Sequence, residues 1–315
     1  MKARLLVARA GPLLGLVFVG VVFLLLIGPA FFRPGNLELI ARQTAIVCTA
    51  ALGMTMVIAA AGIDLSVGSI IALSTVVIAL LLRQDVTPLL AALGGVAAAA
   101  ACGLANGVLI TRLRVVPFIV TLGTMLVVRG AAKGLADERR IEAPATWLNE
   151  LLRSTQGRGL FVPPGIWLLA VLALLVGVLL RYTVFGRHLF AVGSNERTAR
   201  LCGVRVERTK VAVYALSAAL AGVAGVLQFA KLSVGDPTVA VGLELDVIAA
   251  VIIGGGSLTG GHGTVLGTVV GATIMSMVAI GCSQYGLANW VQQIVTGGII
   301  VLAVALDHWR QRSGS

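Results

Sequence analysis

Residues 180–211 read LRYTVFGRHLFAVGSNERTARLCGVRVERTKV, a polar stretch carrying the densest run of cations in the chain between two long apolar segments. In a sequence this apolar, a segment of that kind belongs in water beside a membrane, where it can touch a soluble partner. Local signals place a short helix inside it. Ser194 or Asn195 can cap its N-terminus, Glu196 falls in the first turn, and Gly203 follows the last turn as a C′ residue. Glu196 and Arg200 stand four apart with the acid first, the favourable order for a surface pair. Thr198, Leu201 and Cys202 form a less polar stripe. Spacing alone leaves two uses open for this helix: lying on lipid headgroups, or docking on a protein.

Working outward, 58% of the 315 residues are hydrophobic, 12% are charged and the mean hydropathy is +1.01. A soluble domain is about 25% charged, so this composition describes an integral membrane protein. The net charge of +11 does not point to nucleic acid, because the cations flank apolar spans and do not coat a soluble face. The cysteines Cys48, Cys102, Cys202 and Cys282 are far apart, form no CxxC pair and make no ligand cluster with the three histidines. They read as packing residues, and no metal or cofactor is expected. The N-terminal apolar run resembles a signal peptide, but no Ala-x-Ala-like site follows it, so an uncleaved first span is expected.

A spanning helix needs about 20 residues. The expectation is an all-α membrane protein of about ten transmembrane helices, at 12–31, 37–60, 66–82, 88–110, 115–132, 165–181, 210–230, 238–256, 263–283 and 289–307. Together they make one transmembrane domain over 1–315. The third span is short, and acids and glycines interrupt the eighth. With both termini in the cytoplasm, the inward-facing segments hold Lys2, Arg4, Arg9, Arg112, Arg114, Arg181, Arg187, Arg197, Arg200, Arg205, Arg208, Lys210, Arg310 and Arg312, fourteen of the 24 cations. That bias puts the 182–209 coupling segment inside and the 131–164 connection outside. Gly62-Ile-Asp64-Leu-Ser66-Val67 echoes Gly242-Leu-Glu244-Leu-Asp246-Val247. The two copies lie towards opposite faces, as an inverted five-plus-five repeat with interrupted spans requires.

Asp64, in a Gly-Ile-Asp-Leu-Ser turn between apolar runs, is costly there unless paired or hydrated. It either lines a path for a hydroxylated solute, with Ser66, or caps the third span. Asn106 offers a donor and an acceptor inside a span; it serves a path or an interhelical bond. Glu244 and Asp246 line a path or sit at the outer interface, and the outer interface is the expectation. Gly263, Gly267 and Gly271 recur every four residues, a small-residue face for close helix approach, and His262 reads as a loop residue. Catalysis is excluded on motifs: none of the four lysines follows a glycine, so there is no P-loop, and no nucleophile–base or zinc-like spacing occurs.

These residues resemble the membrane permease subunit of ribose-type ATP-binding cassette sugar importers. The matching stretches are Gly62 to Ser69 (GIDLSVGS), Gly103 to Gly107 (GLANG), Pro117 to Gly123 (PFIVTLG), Gly186 to Asn195 (GRHLFAVGSN) with its continuation Ala199 to Gly203 (ARLCG), and Gly260 to Thr264 (GGHGT). The resemblance implies a multi-pass inner-membrane subunit without an ATP site of its own. It also implies a second permease subunit, identical or paralogous, a cytoplasmic cassette ATPase and a periplasmic sugar-binding protein. In that picture the helix near 195–203 is the coupling helix, with Asn195, Glu196, Arg197, Arg200 and Gly203 as its working residues and Asp64, Ser66 and Asn106 on the path. An ion-coupled secondary transporter is the rival, and paired acids at the bilayer midplane would mark it.

Overall fold

The computed structural model describes residues 2–155 and 162–312, with side chains described for 11–155 and 162–305. The terminal cations Lys2, Arg4, Arg9, Arg310 and Arg312 counted above, and residues 156–161 of the outer connection, lie outside those side chains. The described chain is almost entirely helical. Six helices are long and apolar enough to cross a bilayer: α2 (Pro34–Ala59), α4 (Pro88–Leu113), α5 (Pro117–Leu135), α6 (Pro164–Tyr182), α9 (Val206–Leu232) and α11 (Val265–Gln284). Shorter apolar stretches lie in α1 (Lys2–Ile27), α3 (Val67–Arg83) and α12 (Asn289–Arg312). Four of these helices open with proline at the first position, where its missing N–H costs nothing and its fixed φ suits the helix.

The expected spans each meet one apolar helix, with two revisions. The first is set back, ending at Ile27 because Gly28 takes φ +82 before a short 3₁₀ turn at Pro29–Phe32. The eighth is no full span. Its helix, α10 (Leu243–Ile253), has 11 residues, about 16 Å at 1.5 Å per residue. The connection expected outside begins after Leu135 and holds β1 (Ile141–Glu142) and a 3₁₀ helix at Trp147–Leu152. β1 pairs antiparallel with β2 (Val234–Gly235), Ile141 opposite Gly235, and Arg140 Nε meets Asp236 Oδ2 at 2.9 Å beside it.

At the centre stands α2, buried along nearly all of its second half and surrounded by α6, α9, α10 and α11. The packed helix pairs recur under exchange of α2 with α9, α3 with α10, α4 with α11 and α5 with α12. Thus α3–α4 matches α10–α11, α3–α9 matches α10–α2, α4–α9 matches α11–α2, and α4–α5 matches α11–α12. Four apolar helices lie between matched members, which therefore stand five apart in the order of spans and run in opposite directions. Gly267 and Gly271 perform the close approach read from their spacing: a Cβ at either would overlap the carbonyl oxygen of Gly254 or Ala250 at the α10 side.

Candidate coupling and translocation site

The polar stretch folds as two helices where one was expected. α7 (Val184–Ser194) starts at Thr183, whose Oγ1 accepts the Gly186 N–H at 3.2 Å. Asn195 then breaks the chain and caps α8 (Glu196–Leu201), its Oδ1 accepting the Thr198 N–H at 2.9 Å. Ser194, the alternative cap, is the last residue of α7. After α8, Gly203 takes φ +84, its N–H donating to Arg200 O at 3.0 Å while the Val204 N–H reaches Ala199 O at 3.0 Å. These are the two bonds of a Schellman ending, and glycine supplies the left-handed residue it needs.

Charge fixes α8 to the next helix. Arg200 bonds Glu207 at 2.5 Å and Glu196 at 3.4 Å, and Lys210 bonds the other Glu196 oxygen at 2.6 Å. The hydrogen bond to Glu207, then its charge, raises the Arg200 pKa from an already high value, so that cation stays charged through physiological pH. Glu196 and Arg200 therefore pin α8 to the start of α9 while both side chains stay exposed on the surface. Arg197 is exposed and has no partner among the described residues. Leu201 is 83% exposed and Cys202 is exposed, while Ala199 packs with Val192 and Val206. The less polar stripe thus points away from the protein body.

Backbone joins this lever to the membrane core. A Cβ at Gly193 would overlap the Ala59 carbonyl oxygen at the end of α2. The same oxygen accepts the Gly261 N–H at 2.9 Å. A Cβ at Gly260 would stand 2.6 Å from Ala61 Cβ and from Gly193 O. The glycine loop, His262 included, is thus wedged between the α7 end and the α2 end, and His262 itself is an exposed loop residue. Sequence reading missed Gly193, because a lone glycine in AVGSN carries no signal of what it touches.

Immediately after Ala61, which takes φ +58, the chain enters the break that holds Asp64. Asp64 and Ser66 are fully buried, as is Asn106 on α4. Asp64 Oδ1 accepts the Ser66 N–H at 2.9 Å and the Ser66 hydroxyl at 2.5 Å, and Ser66 Oγ accepts Asn106 Nδ2 at 2.9 Å. Tyr214 and Thr121 donate to Ile63 O at 3.4 and 3.2 Å. The three candidate path residues are therefore brought together, but as a closed polar knot and not along an open lumen. Asp64 forms an Asx turn; it does not cap α3, whose N-cap position is Ser66. Among the described residues Asp64 Oδ2 and Asn106 Oδ1 are buried without partners, an imbalance of acceptors that costs stability in a dry interior.

The second copy of the repeat opens α10, with Glu244 and Asp246 half-buried in its first turn. Glu244 Oε1 accepts the Gly242 N–H at 3.2 Å, and its other oxygen lies where a Cβ on Gly68, in the first turn of α3, would stand.

A half-length helix, a buried acid at a chain break and a charged two-helix segment packed against the end of α2 are the features that set this fold apart. The sequence pattern described as "branched-chain amino acid transport system / permease component" matches residues 36–304. The chain belongs to this permease family. The permease is 38% identical over 297 residues to the ribose import permease protein RbsC of Escherichia coli, covering 94% of this chain and 92% of that one. It is 39% identical over 285 residues to the L-arabinose ABC transporter permease protein AraH of Azospirillum brasilense, covering 90% and 83%. With the fructose import permease protein FrcC of Rhizobium meliloti it shares 33% over 306 residues, covering 95% and 85%. No solved structure gives a significant match to the chain. In the permease, the end of α7 meets the Gly260–Gly261 turn and Ala59, five residues before Asp64.

Proposed function

We propose that the permease is the membrane-spanning half of an ATP-driven monosaccharide importer in the bacterial inner membrane. The observation that carries this reading is the alignment, over nine-tenths of the chain, with permeases named for ribose, L-arabinose and fructose import. A second permease subunit completes the passage, a cytoplasmic cassette ATPase seats on Arg197 and Leu201 of α8, and a periplasmic binding protein delivers the sugar. ATP binding moves α7–α8. Because Gly193 and Ala59 meet backbone to backbone, that movement cannot be absorbed by side-chain rotation, and it passes to the 60–66 break. There the Asp64–Ser66–Asn106 knot holds α3 against α4 in one state and re-forms differently in the other. A ligand shifts such an equilibrium only through its differential contacts with the two states, and α8 supplies that difference.

Reconstitution with the cognate ATPase and binding protein in proteoliposomes tests the reading. Uptake of radiolabelled ribose, L-arabinose or fructose is expected to need both ATP and the binding protein, and to survive a protonophore. Uptake that collapses with the protonophore while ATP remains high favours the ion-coupled rival.

A further inference from the structure

The segment between β2 and α10 descends into the membrane as irregular chain. Gly235 packs on Thr75, Val76 and Ala79 of α3, whereas Ala240 and Glu244 pack on Gly68. Gly68 lies fifteen residues before Arg83 at the far end of α3, about 22 Å along the helix axis. In a hydrocarbon core of about 30 Å, the Ala240 carbonyl is therefore deep. Non-helical backbone at that depth persists only inside protein or facing a water-filled cavity. Here one side is open: Val241 is 75% exposed, and Thr238 and Leu245 are exposed. Ala240 holds φ +60, and among the described residues nothing accepts from the Ala240 or Val241 amide.

A guanidinium holds this segment in place. Arg129, twelve residues into α5, donates from Nη1 to Pro237 O at 3.0 Å and to Val239 O at 2.7 Å. Among the described residues its Nε and Nη2 have no acceptor. Glu244 and Asp236 are the carboxylates close enough to act on it electrostatically. Asp236 is occupied by Arg140 and Thr238. Glu244 keeps acceptor capacity beyond its one amide bond. An ionisable side chain at such depth marks a solute pathway more often than a structural pair.

We propose that Arg129, Glu244 and the open Thr238–Val241 backbone form a subsite for the hydroxyl groups of the imported sugar. A hydroxyl both donates and accepts. The free guanidinium donors and unpaired amides match its oxygen, and the Glu244 carboxylate matches its proton. The opposite charges of Arg129 and Glu244 offset each other, so the subsite suits a neutral polyol better than an ion. This inference rests on the importer reading above.

The test uses the reconstituted complex with whichever of ribose, L-arabinose and fructose the wild-type complex imports, and reads sugar delivered per ATP hydrolysed. Glu244→Gln keeps the Gly242 amide bond, and Val241→Trp alters an exposed side chain, so both leave the packing intact. A hydrogen bond to a charged group is worth about tenfold or more in stabilisation. Accordingly, both variants and Arg129→Ala are expected to lower the sugar-to-ATP ratio about tenfold or more, with ATP hydrolysis within twofold of wild type. Unchanged ratios in Glu244→Gln and Val241→Trp overturn the subsite and leave the importer reading standing. Equal loss of uptake and hydrolysis in those two variants also overturns it, because that is the mark of a structural role. A wild-type complex that imports none of the three sugars overturns both.

Discussion

Replacing Gly193 with alanine is expected to lower ATP-driven uptake at least tenfold while the chain still inserts and still binds its ATPase. The reason is local. The new Cβ would overlap the Ala59 carbonyl oxygen and would stand 2.8 Å from the Gly261 nitrogen. Both neighbours are backbone, so no rotamer change makes room. α7 must tilt away from α2 instead, and the bond from Gly261 to Ala59 loosens with it. Overpacking of this kind costs about 1–3 kcal/mol of stability. The functional loss should be larger than that if, as proposed, the damaged contact is the one through which movement of α7–α8 passes to the 60–66 break. Gly177→Ala is the matched control, since a Cβ there meets nothing within 4 Å. Uptake and the ATPase activity stimulated by the binding protein should be measured together. Loss of uptake with hydrolysis retained locates the defect in transmission, whereas wild-type uptake in Gly193→Ala shows that force passes elsewhere.

The second large effect is expected at Asp64. Asp64→Ala removes the acceptor for the Ser66 N–H and hydroxyl in a site closed to water. Stranding buried donors costs about 1–3 kcal/mol each, and Ser66 can turn its hydroxyl to limit the loss, so the net destabilisation should be on the order of 3 kcal/mol. Asp64→Asn should cost far less. Its Oδ1 still accepts from Ser66, and its amide brings a donor to a region where Asn106 Oδ1 lacks one. The measurement is the thermal unfolding midpoint in detergent for both variants. Alanine below asparagine is the expected order. Equal midpoints would mean that the knot contributes nothing to the packed state, and that Asp64 acts only through its charge.

What the amino acids disclosed, and what they withheld, follows from the range of the interactions involved. Hydropathy and short-loop charge located nearly every apolar helix, because the bilayer imposes a length and a polarity that each segment must satisfy alone. Capping chemistry is equally local, so Asn195, Glu196 and Gly203 could be placed around α8 from spacing. The small-residue face was legible in part for the same reason: Gly267 and Gly271 meet the α10 side, whereas Gly263 precedes α11 and faces Thr55 of α2. Long-range pairing was hidden. Nothing near Gly193 names Ala59, and nothing near Glu244 names Gly68. The Glu196–Arg200 pair was legible from its spacing, whereas the bonds from Arg200 to Glu207 and from Lys210 to Glu196 were not, because the turn at Gly203 brings those residues together. Arg129 was an overlooked residue with a readable signal, as was Arg42 in the second expected span: a cation inside a span is costly enough to demand a reason.

The repeat shows how a short signal gains meaning in three dimensions. Gly62 to Val67 and Gly242 to Val247 share only a rhythm of glycine, acid and apolar residues. In the fold the first copy runs up to the start of α3 and the second forms the first turn of α10, and those helices contact each other. The two copies have diverged in use. The first closes on itself through Ser66 and Asn106, while the second leaves Val241 and Leu245 open.

The most direct test concerns which side of the membrane carries the lever. Cys202 is exposed beside α8, whereas Cys48 and Cys282 are buried and Cys102 is partly covered, so an impermeant maleimide should find Cys202 first. In right-side-out vesicles Cys202 is expected to stay unlabelled, and in inside-out vesicles it is expected to label and to be shielded by the bound ATPase. Labelling from the outer face would contradict an inward-facing lever and with it the whole route of force from α8 to the Asp64 break.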